Sequence, residues 1–210
     1  MAAHAPLKET LNIIQTGSNT FRLGGVDLDK AQRTVSIPAR VRLRKEVIEY
    51  ALVTDQGKAY EALLTTACRP ADIHIACLLL GLGAAPVTGD LNQPAPVAET
   101  NAVLIGVAWE TNGPPVNVPL SELVCLTSGK PDPGAPAMKV DRWLYNGSLI
   151  DQAGFAAQRE GSIISLIRDP VALVNNPGPD RDNDDIHFPN ARLLPPEGTA
   201  VRIILRFPRR

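Results

Sequence analysis

Apolar and polar positions alternate along the first third of the chain. Val35 and Ile37 are set between polar neighbours, and Pro38 interrupts them. Ala39, Val41 and Leu43 then alternate with Arg40, Arg42 and Arg44. A period of two marks a strand with one face buried. Residues 47–54 are rich in β-formers, 55–58 read as a turn with Gly57, and 59–65 return, so 47–65 read as a hairpin. After Pro70, Ile73, Ala76, Cys77 and Leu80 fall at i, i+3, i+4 and i+7. That spacing predicts a short amphipathic helix, with proline in its first turn and Gly81 and Gly83 at its stop.

Residues 84–98 carry three prolines and no period, and read as loop. Residues 101–110 predict a strand, 116–118 an extended stretch and 119–126 a short helix with Leu120, Leu123 and Val124 on one face. Further strands are predicted at 141–145 and 162–168, and a long polar loop at 175–190. The last strand, 199–207, sets Val201, Ile203, Leu205 and Phe207 against Arg202 and Arg206. Nothing has the strand–helix–strand spacing of a parallel sheet. The predicted class is α+β, predominantly antiparallel β, sandwich- or barrel-like, with two or three short helices. Residues 1–20 read as a polar leader.

Composition narrows the function classes. With 210 residues, 44% hydrophobic and 20% charged, the chain has the balance of a globular domain with a real core. A net charge of -1 and 4% aromatic residues argue against a nucleic-acid partner, which calls for basic excess and stacking side chains. No apolar run reaches the roughly 18 residues of a membrane helix. The three cysteines, Cys68, Cys77 and Cys125, form no CxxC pair.

Several residues together resemble the YdjY domain, a bacterial family of unknown function. They are Gly24-Gly25-Val26, Val35 and Pro38, Glu49-Tyr50, Gly57-Lys58, Tyr60-Glu61, Leu63-Leu64, His74 and the run Leu78 to Gly81. Trp109, Trp143, Gly147-Ser148, Asp169-Pro170, Leu194 to Pro196 and Gly198-Thr199 extend the resemblance through the second half. It implies one domain over residues 21–208 and an extracytoplasmic protein, periplasmic or secreted, with its export signal encoded upstream of Met1. It implies no established reaction. Some members are labelled iron–sulfur proteins, but three scattered cysteines do not make a four-cysteine cluster site in one subunit.

Three constellations carry candidate chemistry. In the first, Asp180, Asp182, Asp184 and Asp185 place carboxylates along one short loop, with His187 just beyond. Such a loop can wrap a hard cation such as calcium, or be simply a solvated turn-rich segment. The second is His74, on the predicted helix, whose useful neighbours would come from the hairpin, for instance Glu61, Lys58 or Tyr50. It reads either as a general base oriented by a carboxylate or as a structural tie between helix and sheet. In the third, Arg40, Arg42 and Arg44 read as a site for an anionic glycan, phosphate or lipid headgroup, or as the wet face of a strand that guards an edge. No nucleophile elbow, phosphate loop or HExxH accompanies them. The expected function is therefore a non-enzymatic binding or accessory module with a protein or glycan partner outside the cytoplasm. A hydrolase or lyase using His74, Glu61 and Lys58 is the alternative.

Overall fold

One of the two longest strands among the described residues runs straight through a proline. In the computed structural model, which describes residues 12–83, 101–132 and 134–209, the strand elements in chain order are β1 (Ile13–Gln15), β2 (Thr20–Leu23), β3 (Val26–Asp29), β4 (Thr34–Val41), β5 (Tyr50–Thr54) and β6 (Ala62–Thr66). Helix α1 (Pro70–Leu79) follows, then β7 (Ala102–Trp109), β8 (Val116–Pro119), β9 (Val124–Leu126), β10 (Trp143–Tyr145), β11 (Ile150–Asp151) and β12 (Gly154–Phe155). Helix α2 (Ala156–Glu160) leads to β13 (Ser162–Ser165), β14 (Val174–Asn175), β15 (His187–Pro189) and β16 (Ala200–Arg206). The loop read at 84–98 lies outside the described residues.

Strands β4, β16, β7, β10, β14, β13, β5 and β6 pair in that order, and β6 pairs back to β4, closing the sheet into a barrel. The β1–β2–β3 meander continues from β4, and β8 adds to β7. The predicted class holds: α+β, mostly antiparallel β, with two α-helices among the described residues. Inward positions follow the sequence period. Val35, Ile37, Ala39 and Val41 of β4 meet Val201, Ile203 and Leu205 of β16 and Val103, Ile105 and Val107 of β7 in one core. Burying such side chains stabilises the fold by about 1.5–3 kcal/mol each before entropy is counted.

Pro38 survives inside a ladder because of where it sits. One edge of β4 pairs with β16 throughout. Its other edge is shared: β3 pairs with Thr34–Ser36 and β6 with Arg40–Val41. Pro38 falls in the gap between them. Its carbonyl faces that gap, where the Thr66 hydroxyl donates to it at 2.6 Å. The backbone nitrogen points the same way, so the missing N–H breaks no ladder bond.

The hairpin read at 47–65 is corrected. Strands β5 and β6 run parallel, with Tyr50 beside Ala62 and Thr54 beside Thr66. The connection includes a 3-10 turn at Ala59–Glu61. The Glu61 carbonyl accepts from the Glu49 amide, so the chain is carried back to the start of β5 before it extends again. Strands β13 and β14 are also parallel, again without the long helical crossover. The helix read at 119–126 is a 3-10 turn, Leu120–Leu123, running into β9, which pairs with β15. The loop read at 175–190 contains β15 and a 3-10 turn at Pro179–Asp182, and both His187 and Arg181 are buried. Ile13–Gln15, inside the stretch read as a leader, pairs with β2.

Helix α1 forms where the 3.6 period placed it, with Pro70 at its start and Ile73, Ala76 and Cys77 buried. It ends in a Schellman motif: the Leu82 amide donates to the Cys77 carbonyl and the Gly81 amide to Leu78, with Gly81 at φ +80°. It packs on β2, β3, β4 and α2.

Candidate functional site

The split along the edge of β4 opens into a cleft of about 770 Å³. Its volume lies within the roughly 300–1,000 Å³ common for small-ligand sites. One wall is the entry to α1. There the Thr66 hydroxyl, besides donating to Pro38, accepts from the Cys68 amide at 3.1 Å. The Gly24–Gly25 turn between β2 and β3 lies hard against this wall. A Cβ on Gly24, at φ +54°, would stand 2.6 Å from Asp72 Oδ2, and one on Gly25 would stand 2.8 Å from Cys68 Sγ. Only backbone fits there. Asp72 and Cys68 are both nearly buried, and burial pushes the Cys68 thiol above its ordinary pKa, so it is held protonated.

The floor is made of small outward-facing residues on three neighbouring strands. Arg202 of β16 stands between Pro38 of β4 and Ala108 of β7, and Ala200 stands opposite Arg40. Ionised side chains rim this floor. Arg202 donates to Asp27 Oδ2 at 3.1 Å and to the Ser36 hydroxyl at 3.2 Å. Asp27 also receives Arg22 at 2.7 Å. Arg40, Asp55 and Glu110 line the cleft too, and all three are exposed. Among the described residues the Arg40 guanidinium has no ion-pair partner. Trp109 and Pro115 close the far side.

The residues singled out from the sequence go to separate places. The ring of His74 lies against Phe155, with centroids 5.0 Å apart, and its Nδ1 is 2.8 Å from the Tyr145 hydroxyl. One ring nitrogen is thus committed to that bond, and burial lowers the His74 pKa, favouring the neutral ring. Tyr145 also hydrogen-bonds Cys77, and burial raises both of their pKa values.

Lys58 and Glu61 belong to a different group. Lys58 Nζ donates to the Tyr50 hydroxyl at 2.9 Å and lies 3.7 Å from Glu61. The Tyr50 hydroxyl in turn donates to Asp169 Oδ2 at 3.1 Å. The bond to Tyr50 raises the Lys58 pKa, while burial pushes Tyr50 up to about 12. Both therefore keep their protons at neutral pH. The structure joins Lys58 with Glu61, but the partners it gives His74 are Tyr145 and Phe155.

The acidic loop is likewise divided. Asp180 Oδ2 accepts from the Asn176 side chain at 2.7 Å and pairs with Nε2 of the fully buried His187 at 2.9 Å. Burial opposes the Asp180 carboxylate, but the bonds from His187 and Asn176 outweigh it and its pKa ends below the ordinary value. Asp182 takes a two-pronged contact from Arg168 at 2.8 and 2.9 Å. Asp184 and Asp185 are exposed, and their charges help raise the pKa of Glu49, for which burial is the larger cause. Among the described residues no three His, Cys, Asp or Glu side chains converge as a metal site.

The arginine stripe also separates. Arg42 reaches Glu197 at 3.3 Å, and Arg44 donates to the carbonyls of Ala191 at 2.7 Å and Leu194 at 3.1 Å. Of the three, only Arg40 lines the cleft. Sequence reasoning missed Thr66, Cys68, Asp72 and Arg202 as neighbours there. The available signal was the Gly24-Gly25 pair, which marks a close approach without saying to what.

A closed, mainly antiparallel barrel with a ligand-sized opening where one strand changes partners defines a β-barrel domain with a lateral cleft. No helix among the described residues is long and apolar enough to cross a membrane. The chain belongs to the YdjY domain family, whose model matches residues 26–206. No curated protein and no solved structure matches it.

Proposed function

We propose that this domain is a non-enzymatic binding or accessory module acting outside the cytoplasm, periplasmic or secreted, with its ligand seated in the lateral cleft. The observation that carries the reading is the cleft itself. Its floor of small side chains is fixed by barrel strands, and its rim offers charges of both signs to a visitor. The nucleophile type lining it, Cys68, is held as a thiol rather than a thiolate. A buried thiol of this kind is a poor nucleophile, which favours recognition over attack.

The test has two parts. The full reading frame fused to a reporter that is active only after export should give reporter activity. The purified domain, titrated with a cell-envelope extract, should show amide shifts clustered at Gly25, Thr66, Cys68 and Trp109. The ligand recovered from it should have an unchanged mass. A reporter silent outside the cytoplasm would remove the location, and a ligand recovered cleaved or rearranged would remove the non-enzymatic role.

A further inference from the structure

The cleft presents an unusual set of unfilled valences. Arg40 offers guanidinium donors that nothing in the described structure accepts. Asp55 and Glu110 offer exposed carboxylate acceptors to the same space. Arg202 is anchored to Asp27 and Ser36 through Nη1 and adds a second positive charge to the cleft. Around these groups lie the small side chains of Pro38, Ala108 and Ala200, with Arg202 standing between Pro38 and Ala108 and Trp109 at the edge.

Resting on the module reading above, we infer that the cleft takes an acidic saccharide, a sugar that bears a carboxylate. Such a ligand answers each open group. Its carboxylate accepts the planar fork of Arg40, a charge-assisted pair stronger than a neutral hydrogen bond. Its hydroxyls donate to Asp55 and Glu110. The apolar face of a pyranose ring lies over Ala200, the small residue directly beside Arg40. A bare inorganic anion would satisfy Arg40 but bring no sugar hydroxyls to Asp55 and Glu110 to offset their charge. A neutral sugar would leave Arg40 unanswered. The positions are set by the barrel: Arg40 and Ala200 are register partners, so the cation stands directly beside the floor.

The experiment is calorimetry and amide-shift mapping with trigalacturonate, its neutral galactose counterpart and inorganic phosphate. The proteins are the wild type, Arg40→Gln and the floor-blocking Ala200→Trp, each first checked for an unchanged melting curve. The acidic trimer should bind the wild type about tenfold or more tighter than the neutral one, the size of one charge-assisted bond. Arg40→Gln should erase that preference while retaining the weaker neutral binding. Ala200→Trp should abolish both. Equal affinity for the two trimers, unchanged preference in Arg40→Gln, or phosphate competing as well as the sugar would overturn the inference and leave the module reading standing. Binding of neither trimer would also overturn it, and the envelope-extract titration then judges the module reading by itself.

Discussion

Thr66 Oγ1 donates a 2.6 Å hydrogen bond to the carbonyl of Pro38, in the gap where β4 changes neighbours. The same oxygen accepts from the Cys68 amide at the entry to α1. One hydroxyl therefore ties together the strand without an N–H, the end of β6 and the start of the helix.

Replacing Thr66 by valine keeps the shape and removes both bonds. Thr66 is only 2% exposed, so the Pro38 carbonyl and Cys68 amide lose a partner away from water. The expected loss is about 1–3 kcal/mol in urea melts, the cost of unsatisfied buried groups. Thr66→Ser should restore most of it. Equal stability of Thr66→Val and the wild type would show that water replaces the hydroxyl.

Gly25→Ala should destabilise because the new methyl would stand 2.8 Å from Cys68 Sγ. Overpacking of this kind costs about 1–3 kcal/mol. Cys68→Ala in the same chain removes the obstructing sulfur. The double variant should therefore be less destabilised than the two single losses added, and a double-mutant cycle in denaturant measures this. Additive losses would place the strain elsewhere.

Asp180 links stability to pH. Its carboxylate titrates below its ordinary value because His187 and Asn176 donate to it. A depressed carboxylate contributes stability that is present above the unfolded pKa, about 3.9, and is lost as pH falls through the lower folded value. Asp180→Asn should lose about 1–3 kcal/mol at pH 7, as when a buried charged partner is removed. The gap to wild type should narrow in melts taken below pH 4, and a constant gap would refute the linkage.

Glu49 has the opposite sign. Burial first, then the charge of Glu61, raises its pKa. A raised carboxylate favours the fold at pH below its unfolded value and loses that advantage as pH rises through the folded one. Glu49→Gln should therefore raise the melting temperature at pH 7 and have no effect near pH 3. A lower melting temperature at pH 7 would assign Glu49 a partner that matters more than the repulsion.

Calcium at millimolar concentration should leave the melting temperature unchanged. Asp182 is engaged by Arg168, and Asp180 is turned inward to His187, so the carboxylates do not meet. A ligand that does not prefer the folded state produces no shift. A calcium-dependent rise, lost in Asp182→Ala, would restore the acidic loop as a cation site.

Local pattern along the chain was enough to read the elements with long periods. β4, β7 and β16 alternate over seven or eight residues each, and α1 runs over ten. In each, a local period chooses which face is buried, whatever the partner is. The Gly24-Gly25 pair and the family resemblance were also legible locally. Strand direction was not. Residues 47–65 have the composition of a hairpin, but β5 and β6 are parallel because the 3-10 turn at Ala59–Glu61 carries the chain back before it extends. Two-residue strands and the five-residue α2 are too short to show a period.

The candidate site was decided entirely in three dimensions. Arg40, Arg42 and Arg44 are equivalent in sequence, yet one lines the cleft, one pairs with Glu197 and one caps the turn at 191–194. Asp180 and Asp182 are equally alike, yet one is held by a buried histidine and the other by a surface arginine. Spacing along the chain fixes which way a side chain points from its own element. What it meets there depends on barrel closure, which brings together residues as distant as Gly25, Cys68 and Arg202, and no local pattern carries that information.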